Sequence, residues 1–210
     1  MKKIILSLLV LGLSLLGLQA QESPETLFEG KVSFSNIGVF VDPGFQITQV
    51  SEEGAGLFLL RGGVSFNDKL SVGGFYGQMI SDIRPASFEN ILPPRAYVDA
   101  FQAGGFVEYT LNASKMLHFT FPLAFGVMEM EVDEEGRDFD YEETKTFFVE
   151  PGAQLEVNLH RFARLHAGVG YRLMAGTIED SPGVPDAGNS LTFQVGLKMG
   201  VFNFKQLKNQ

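Results

Sequence analysis

The chain has 210 residues, with 16 Lys and Arg against 25 Asp and Glu, 24 Gly, 20 Phe and neither Cys nor Trp. A net charge of −9 repels phosphate along most approaches, so no nucleic-acid partner is expected. The absence of Cys excludes a disulfide framework, and the length suits one domain with a real core.

Lys2 and Lys3 precede an apolar run from Ile4 to Leu18, and Leu18-Gln19-Ala20 ends on the small residue that a signal peptidase prefers. Cleavage is expected after Ala20. The run is short for a spanning helix of ~20 residues, and no Cys follows Ala20 to carry a lipid anchor. Residues 1–20 are read as a signal peptide, 21–36 as a periplasmic N-terminal lead, 37–204 as a barrel and 205–210 as a C-terminal tail. Without Lys2 and Lys3 the charge falls to −11. After the leader no stretch reaches the length of an apolar membrane helix, so any spanning must be done by strands.

Eight segments then alternate with period 2, the signature of strands with two different surroundings. The first, Ile37 to Ile47, contains Pro43, which cannot donate to a ladder, so a kink or bulge is expected there. Phe58 to Phe66 sets Phe58, Leu60, Val64 and Phe66 against Arg61, Gly63 and Ser65, and Leu70 to Met79 sets Leu70, Val72 and Tyr76 against Ser71, Gly73 and Gly77. Phe101 to Leu111 opposes Val107 and Tyr109 to Gln102 and Glu108, with Phe106 an exception on the polar face. Leu117 to Val127 opposes Leu117, Phe119, Phe121, Leu123, Phe125 and Val127 to His118, Thr120, Pro122, Ala124 and Gly126. Phe147 to Leu159, Arg164 to Ala175 and Leu191 to Val201 follow the same rule; the last reads L-T-F-Q-V-G-L-K-M-G-V, long enough for a tilted strand to cross a hydrocarbon core.

The connections alternate in length. Asn67 to Lys69, Asn112 to Ser114 and His160 to Phe162 each fit a three-residue hairpin loop. Between them lie longer links, Ser81 to Ala96, Asp133 to Thr144 and Glu179 to Asn189, with Ser51 to Gly54 short. Short turns at one end and long loops at the other predict an all-β, eight-stranded antiparallel up-and-down transmembrane β-barrel in the bacterial outer membrane, with both termini in the periplasm.

A soluble lipocalin-like barrel would also alternate, with its apolar face inside. The glycines favour the opposite arrangement: Gly63, Gly73, Gly77, Gly104, Gly126, Gly152, Gly168, Gly170, Gly196 and Gly200 share the polar face with Arg, Glu, Gln and Lys. A solvated face loses stability with glycine, whereas a crowded lumen needs small residues among long ones. The polar face is therefore expected inside, holding a charge network of Arg61, Glu108, His118, Glu150, Glu156, Arg164, His166, Arg172 and Lys198. Three-residue turns would place Glu156 opposite His166, Glu150 opposite Arg172, and Glu108 opposite His118. Buried charges persist when paired and hydrogen-bonded, so a salt-bridge lattice is the expected filling and a polar ion pathway the alternative.

From Ile37 to Phe204 the chain resembles the eight-stranded outer-membrane barrels of the OmpA transmembrane domain, OmpX and OmpW type. The runs G-A-G-L-F-L-L-R-G-G-V-S-F at 54–66, L-S-V-G-G-F-Y-G at 70–77 and F-F-V-E-P-G-A-Q-L-E-V-N at 147–158 are similar to uncharacterised Bacteroidetes outer-membrane barrel proteins. The resemblance implies outer-membrane lipid and lipopolysaccharide as surroundings, the barrel-assembly machinery as a partner during biogenesis, and a monomer. Such barrels usually end on an aromatic residue; here Phe202 and Phe204 stand in for it, and Tyr and Phe must form the aromatic girdle that lacks Trp.

Some barrels of this class modify lipid A. A serine hydrolase needs Ser and His in hydrogen-bond reach, and none of His118, His160 and His166 has a Ser two residues away on its own face. No enzyme activity, catalytic residue, cofactor or metal site is expected. An acidic extracellular loop and its strand end carry Glu129, Glu131, Asp133, Glu134, Glu135, Asp138, Asp140, Glu142 and Glu143 against Arg137. The order does not match a calcium loop, so a solvated charge run is the preferred reading over a divalent-ion site. The expected function is a structural, surface-interaction or small-solute role; a narrow pore, or a lipid A-modifying enzyme, are the alternatives.

Overall fold

Eight antiparallel strands close on themselves in chain order in a computed structural model, which describes residues 36–50, 53–84, 96–134, 143–179 and 188–203. The strands are β1 (Ile37–Val50), β2 (Glu53–Phe66), β3 (Leu70–Met79), β4 (Ala96–Leu111), β5 (Leu117–Glu134), β6 (Thr144–His160), β7 (Ala163–Glu179) and β8 (Ser190–Val201). Pairing of β1 with β8 completes the closed barrel. The expected leader, N-terminal lead and C-terminal tail lie outside the described residues.

The polarity of the wall is inverted relative to a soluble barrel. Phe119, Leu123, Leu155, Val169 and Leu191 point outward and are exposed, while Arg172, Glu156, His166 and Lys198 are buried inside. This is the arrangement that the glycine placement predicts. Two interior glycines show why it is needed: a Cβ on Gly196 would stand 2.5 Å from His166 Nε2, and one on Gly170 would stand 2.6 Å from Thr192 Oγ1.

Several strands extend beyond their predicted ends on the long-loop side, and there the polarity reverses again. On β5 the outward face runs Leu117, Phe119, Phe121, Leu123, Phe125, Val127 and then changes to Glu129, Glu131 and Asp133; the inward face changes from His118 and Thr120 to Met128, Met130 and Val132. On β4 the outward residues Tyr97 and Asp99 stand above Phe101, and Val98 and Ala100 stand inward above Gln102. Val50, Leu57, Met79, Val98, Met128, Met130, Val132 and Phe148 pack into one buried apolar cluster. The lower wall obeys lipid and the upper wall obeys water. At ~3.3 Å per residue and a tilt of ~45°, Leu117 to Val127 gives an apolar belt about 23 Å tall, close to the ~25 Å of known outer-membrane barrels.

Two turn expectations need correction. The turn Asn67-Asp68-Lys69 has three residues as expected, with Asn67 and Asp68 at φ of 55° and 57°. The next turn is longer, because Leu111 pairs with Phe119 and Thr110 with Thr120. Asn158 causes this: its side-chain amide donates to Ala113 O and Lys115 O at 3.0 and 2.8 Å, and its backbone N–H to Met116 O. These bonds hold the start of β5 on β6, so Leu117 and His118 pair there with Val157 and Glu156. At the third turn His160 pairs with Ala163, leaving a two-residue turn, and an irregularity at Leu159 restores the predicted pairing of Asn158 with Arg164.

Pro43 produces no register shift, contrary to expectation. It pairs with Leu60 in an unbroken β1–β2 ladder, and on the β8 side the pairing skips from Val41 and Met199 to Gly44 and Gly196 with register unchanged. The missing N–H is absorbed as a local gap in one ladder.

Candidate functional site

The inward residues of the lower barrel assemble into three buried polar clusters. In the first, Arg61 Nε donates to Asp42 Oδ2 at 2.8 Å, its Nη2 meets the same oxygen, and His166 Nε2 lies 2.9 Å from Asp42 Oδ1. Arg61 Nη2 also stands 3.0 Å from His166 Nε2. One Nε2 cannot both accept from Arg61 and donate to Asp42: a proton on Nε2 satisfies Asp42 and leaves the Arg61 approach without a hydrogen bond. In the second, Lys198 Nζ bridges Glu108 at 2.5 Å and Glu156 at 3.3 Å, and His118 Nε2 lies 3.3 Å from the other Glu156 oxygen. In the third, Arg172 Nε and Nη2 reach Glu150 Oε2 at 2.9 and 2.8 Å, while Gln46 and Thr192 donate to Glu150 Oε1 at 2.8 and 2.9 Å. Gln46 Oε1 accepts from Arg172 Nη2 and Gln102 Nε2. Arg164 pairs with Asp68 in the first turn at 3.3 Å.

All nine residues of the expected charge network are thus inside the barrel, but two expected contacts are replaced. Glu108 faces Pro122 across the β4–β5 ladder, because the long second turn moves His118 out of reach; His118 joins Glu156 and Glu108 joins Lys198. His166 is opposite Glu156 in register as expected, yet its side chain turns to Asp42. Asp42 escaped sequence reasoning although it occupies an inward, even-numbered position of β1. Its signal was its parity: a carboxylate on the lumen face needs a cation, and Arg61 lies directly across in the ladder. Gln46, Gln102 and Thr192 also join the lattice; being polar but uncharged, they stood outside a network drawn from charged residues, although parity puts all three on the inward face.

Phe106, the exception on its strand, is an interior residue. It packs with Phe40 and Phe202 at the short-turn end. The Arg61 guanidinium lies 5.7 Å from its ring, Arg164 lies 3.7 Å from the Phe202 ring, and Lys198 Nζ lies 5.2 Å from Phe40. Cations over rings let aromatic and charged side chains share one lumen. Between the polar clusters and the upper apolar cluster is a cavity of about 40 Å³, lined by Gln46, Gln102, Gln154, Gln194, Phe75 and Phe148 among others. That volume admits a few waters, and the buried Gln102 Oε1, which lacks a protein partner, offers an acceptor to one. Above the cavity the described interior is filled by mainly apolar side chains, with Thr48, Thr144 and Thr146 buried among them.

The outer wall above the belt is acidic. Asp99 stands directly opposite Glu131, and Tyr97 opposite Asp133, to which its hydroxyl donates at 2.9 Å. Asp133 and Glu134 belong to β5, correcting their assignment to a loop, because the apolar inward face carries the strand past them; Glu135, Asp138 and Asp140 lie outside the described residues. Partial burial, and then Asp133 and Asp82, raise Asp99 above its ordinary range. Partial burial and the facing Asp99 do the same for Glu131, and the bond to Asp133 pushes the Tyr97 hydroxyl up to about 12. A carboxyl with a raised folded value holds its proton more tightly when folded. Its contribution to stability therefore falls as pH rises from the ordinary values of 3.8 and 4.5 through the raised ones, and is constant above them. Amide exchange of β4 and β5 above the belt is expected to be slower at mildly acidic pH than near neutrality after correction for intrinsic rates. Asp99→Asn with Glu131→Gln should flatten that difference.

No known family model matches the sequence, and no curated protein does. Solved structures match throughout the barrel. Neisserial surface protein A superposes with a TM-score of 0.50 at 16% identity, over 78% of this chain and 96% of that one. A major outer membrane protein of Thermus thermophilus gives 0.49 at 9% identity, over 77% and 99%. The attachment invasion locus protein Ail of Yersinia pestis gives 0.47 at 14%, over 79% and 97%. The chain has the fold of the eight-stranded outer-membrane barrels. At such identities the likeness concerns the fold alone.

The chemistry of the interior is that of paired, immobilised charges. Three of the described serine hydroxyls are engaged away from the histidines: Ser65 donates to Phe202 O, Ser190 bonds Thr48, and Ser81 accepts from Gly56 N–H. His118 and His166 each face a carboxylate, while His160 is the last residue of β6, beside Phe162.

Proposed function

We propose that the protein is an integral outer-membrane barrel with a closed, salt-bridged interior and a structural or surface-interaction role. The observation that carries this reading is the double inversion of polarity: charges paired inside a belt of exposed Phe, Leu and Val, then an apolar interior behind an acidic outer wall. A lipid-embedded belt beneath a water-exposed crown is the environment that fits both halves. In this reading the leader is cleaved after Ala20, and the short turns and both termini face the periplasm. Lipopolysaccharide surrounds the upper belt, and the assembly machinery inserts a monomeric chain of the OmpA, OmpX and OmpW type, akin to the Bacteroidetes barrels. The test is gel migration of the outer-membrane fraction: unboiled and boiled samples should run at different apparent masses, and identical migration would count against the barrel.

A second reading, a narrow pore for small solutes, draws support from the polar cavity. Against it stand the Phe40, Phe106 and Phe202 wedge, which fills the lower lumen between paired charges, and the mainly apolar cluster above, in which an ion would shed water with little compensation. Planar-bilayer recordings of the reconstituted protein should show no resolved single-channel steps. Reproducible steps that change on Glu150→Gln would favour the pore instead.

A further inference from the structure

We infer that the short-turn rim docks anionic phospholipid headgroups, through Lys69, Lys115 and Arg161. The inference rests on the membrane-barrel reading and adds a lipid class and a set of contacts to it. Each of the three short turns carries one exposed cation: Lys69 between β2 and β3, Lys115 between β4 and β5, Arg161 between β6 and β7. Among the described residues of these turns Asp68 is the sole carboxylate, and it faces Arg164. The opposite end is reversed in sign, with Asp82, Asp99, Glu129, Glu131 and Asp133 against Arg84 and Lys145. The barrel is therefore a molecule with one basic and one acidic pole.

The position of the cations identifies the anion. Lys69 precedes the outward Leu70; Lys115 precedes Met116, which is 73% exposed, and the outward Leu117. Arg161 lies 4.7 Å from the Phe162 ring, two residues from Leu159, which is 58% exposed. A long cationic side chain at the edge of an apolar belt lays its stem along hydrocarbon and its head among the headgroups. Phosphodiesters sit at that depth, and a planar guanidinium binds them through two parallel hydrogen bonds. Because consecutive short turns are two strands apart, the three cations are distributed around the rim and suit several separate headgroups instead of one ligand. Each basic side chain close to an anionic bilayer surface favours association by roughly fivefold.

The full chain is refolded into phosphatidylcholine vesicles carrying either spin-labelled phosphatidylglycerol or spin-labelled phosphatidylcholine, and the motionally restricted fraction of each is measured. The wild type is expected to restrict phosphatidylglycerol several-fold more strongly, with the preference reduced at ~1 M salt. Substitution of all three by Gln (K69Q, K115Q, R161Q) should abolish the preference, and the charge-keeping set K69R, K115R, R161K should retain it. K115Q alone should lower it part-way, which keeps the test open if the triple variant inserts poorly. Equal restriction of both lipids by the inserted wild type, or an unchanged preference in the triple Gln variant, overturns this inference alone. Failure of the wild type to insert into any vesicle overturns the membrane-barrel reading and this inference with it.

Discussion

Replacing Arg172 with Met is expected to remove about 3–5 kcal/mol of unfolding free energy, the usual cost of stranding one member of a buried ion pair. Arg172 is 1% exposed. It holds Glu150 through two nitrogens, donates to Gln46 and lies 4.7 Å from the Phe148 ring. Its removal leaves Glu150 with Gln46 and Thr192 as donors and without a counter-charge. Urea titration in detergent micelles, followed by the shift between folded and unfolded gel bands, measures the loss. The double variant Glu150→Gln with Arg172→Met should be clearly more stable than the sum of the single losses implies, because no charge remains unpaired. Lys145→Met supplies the contrast: its ion pairs with Glu143 and Glu129 are at the exposed outer wall, and exposed pairs contribute ~0–1 kcal/mol. Equal losses for the Arg172 and Lys145 variants would overturn the interior lattice as a stabilising element.

Leu123→Arg should destabilise the bilayer-inserted barrel by about 2–4 kcal/mol, the penalty for a cation near the midplane on a lipid-facing wall. Leu123 is 45% exposed and lies on β5 between the outward Phe121 and Phe125, mid-way along the apolar belt. Glu131→Arg is on the same strand and face, above the belt, and should be nearly neutral. In a water-soluble barrel both would be surface substitutions of similar small effect, so near-equal unfolding energies in lipid vesicles would refute the lipid-facing assignment.

Much of this arrangement was legible in the chain. Period-2 alternation located all eight strands, and glycines on the polar face indicated which side is crowded. The long-loop ends were not legible by the same rule, because strand ends were sought where apolar-out alternation stops. At Val127 and Met128 alternation continues with its sign exchanged, so the strand persists where the apolar-out pattern ends. The lattice was legible as a set of residues and less so as a set of contacts. Long side chains reach beyond the opposite residue, as His166 does to Asp42. One asparagine, Asn158, re-seats an entire turn through two side-chain hydrogen bonds that no spacing rule contains.

The exchange of sign at Val127 and Met128 also acts as a depth gauge. If the barrel sank by two residues, Glu129 would enter the hydrocarbon; if it rose by two, Phe125 and Val127 on this strand would begin to leave it. Both displacements are uphill, one by burying a carboxylate and the other by wetting apolar surface. The vertical station of the molecule in its bilayer is thereby written into the wall itself, with no separate anchor required to hold it.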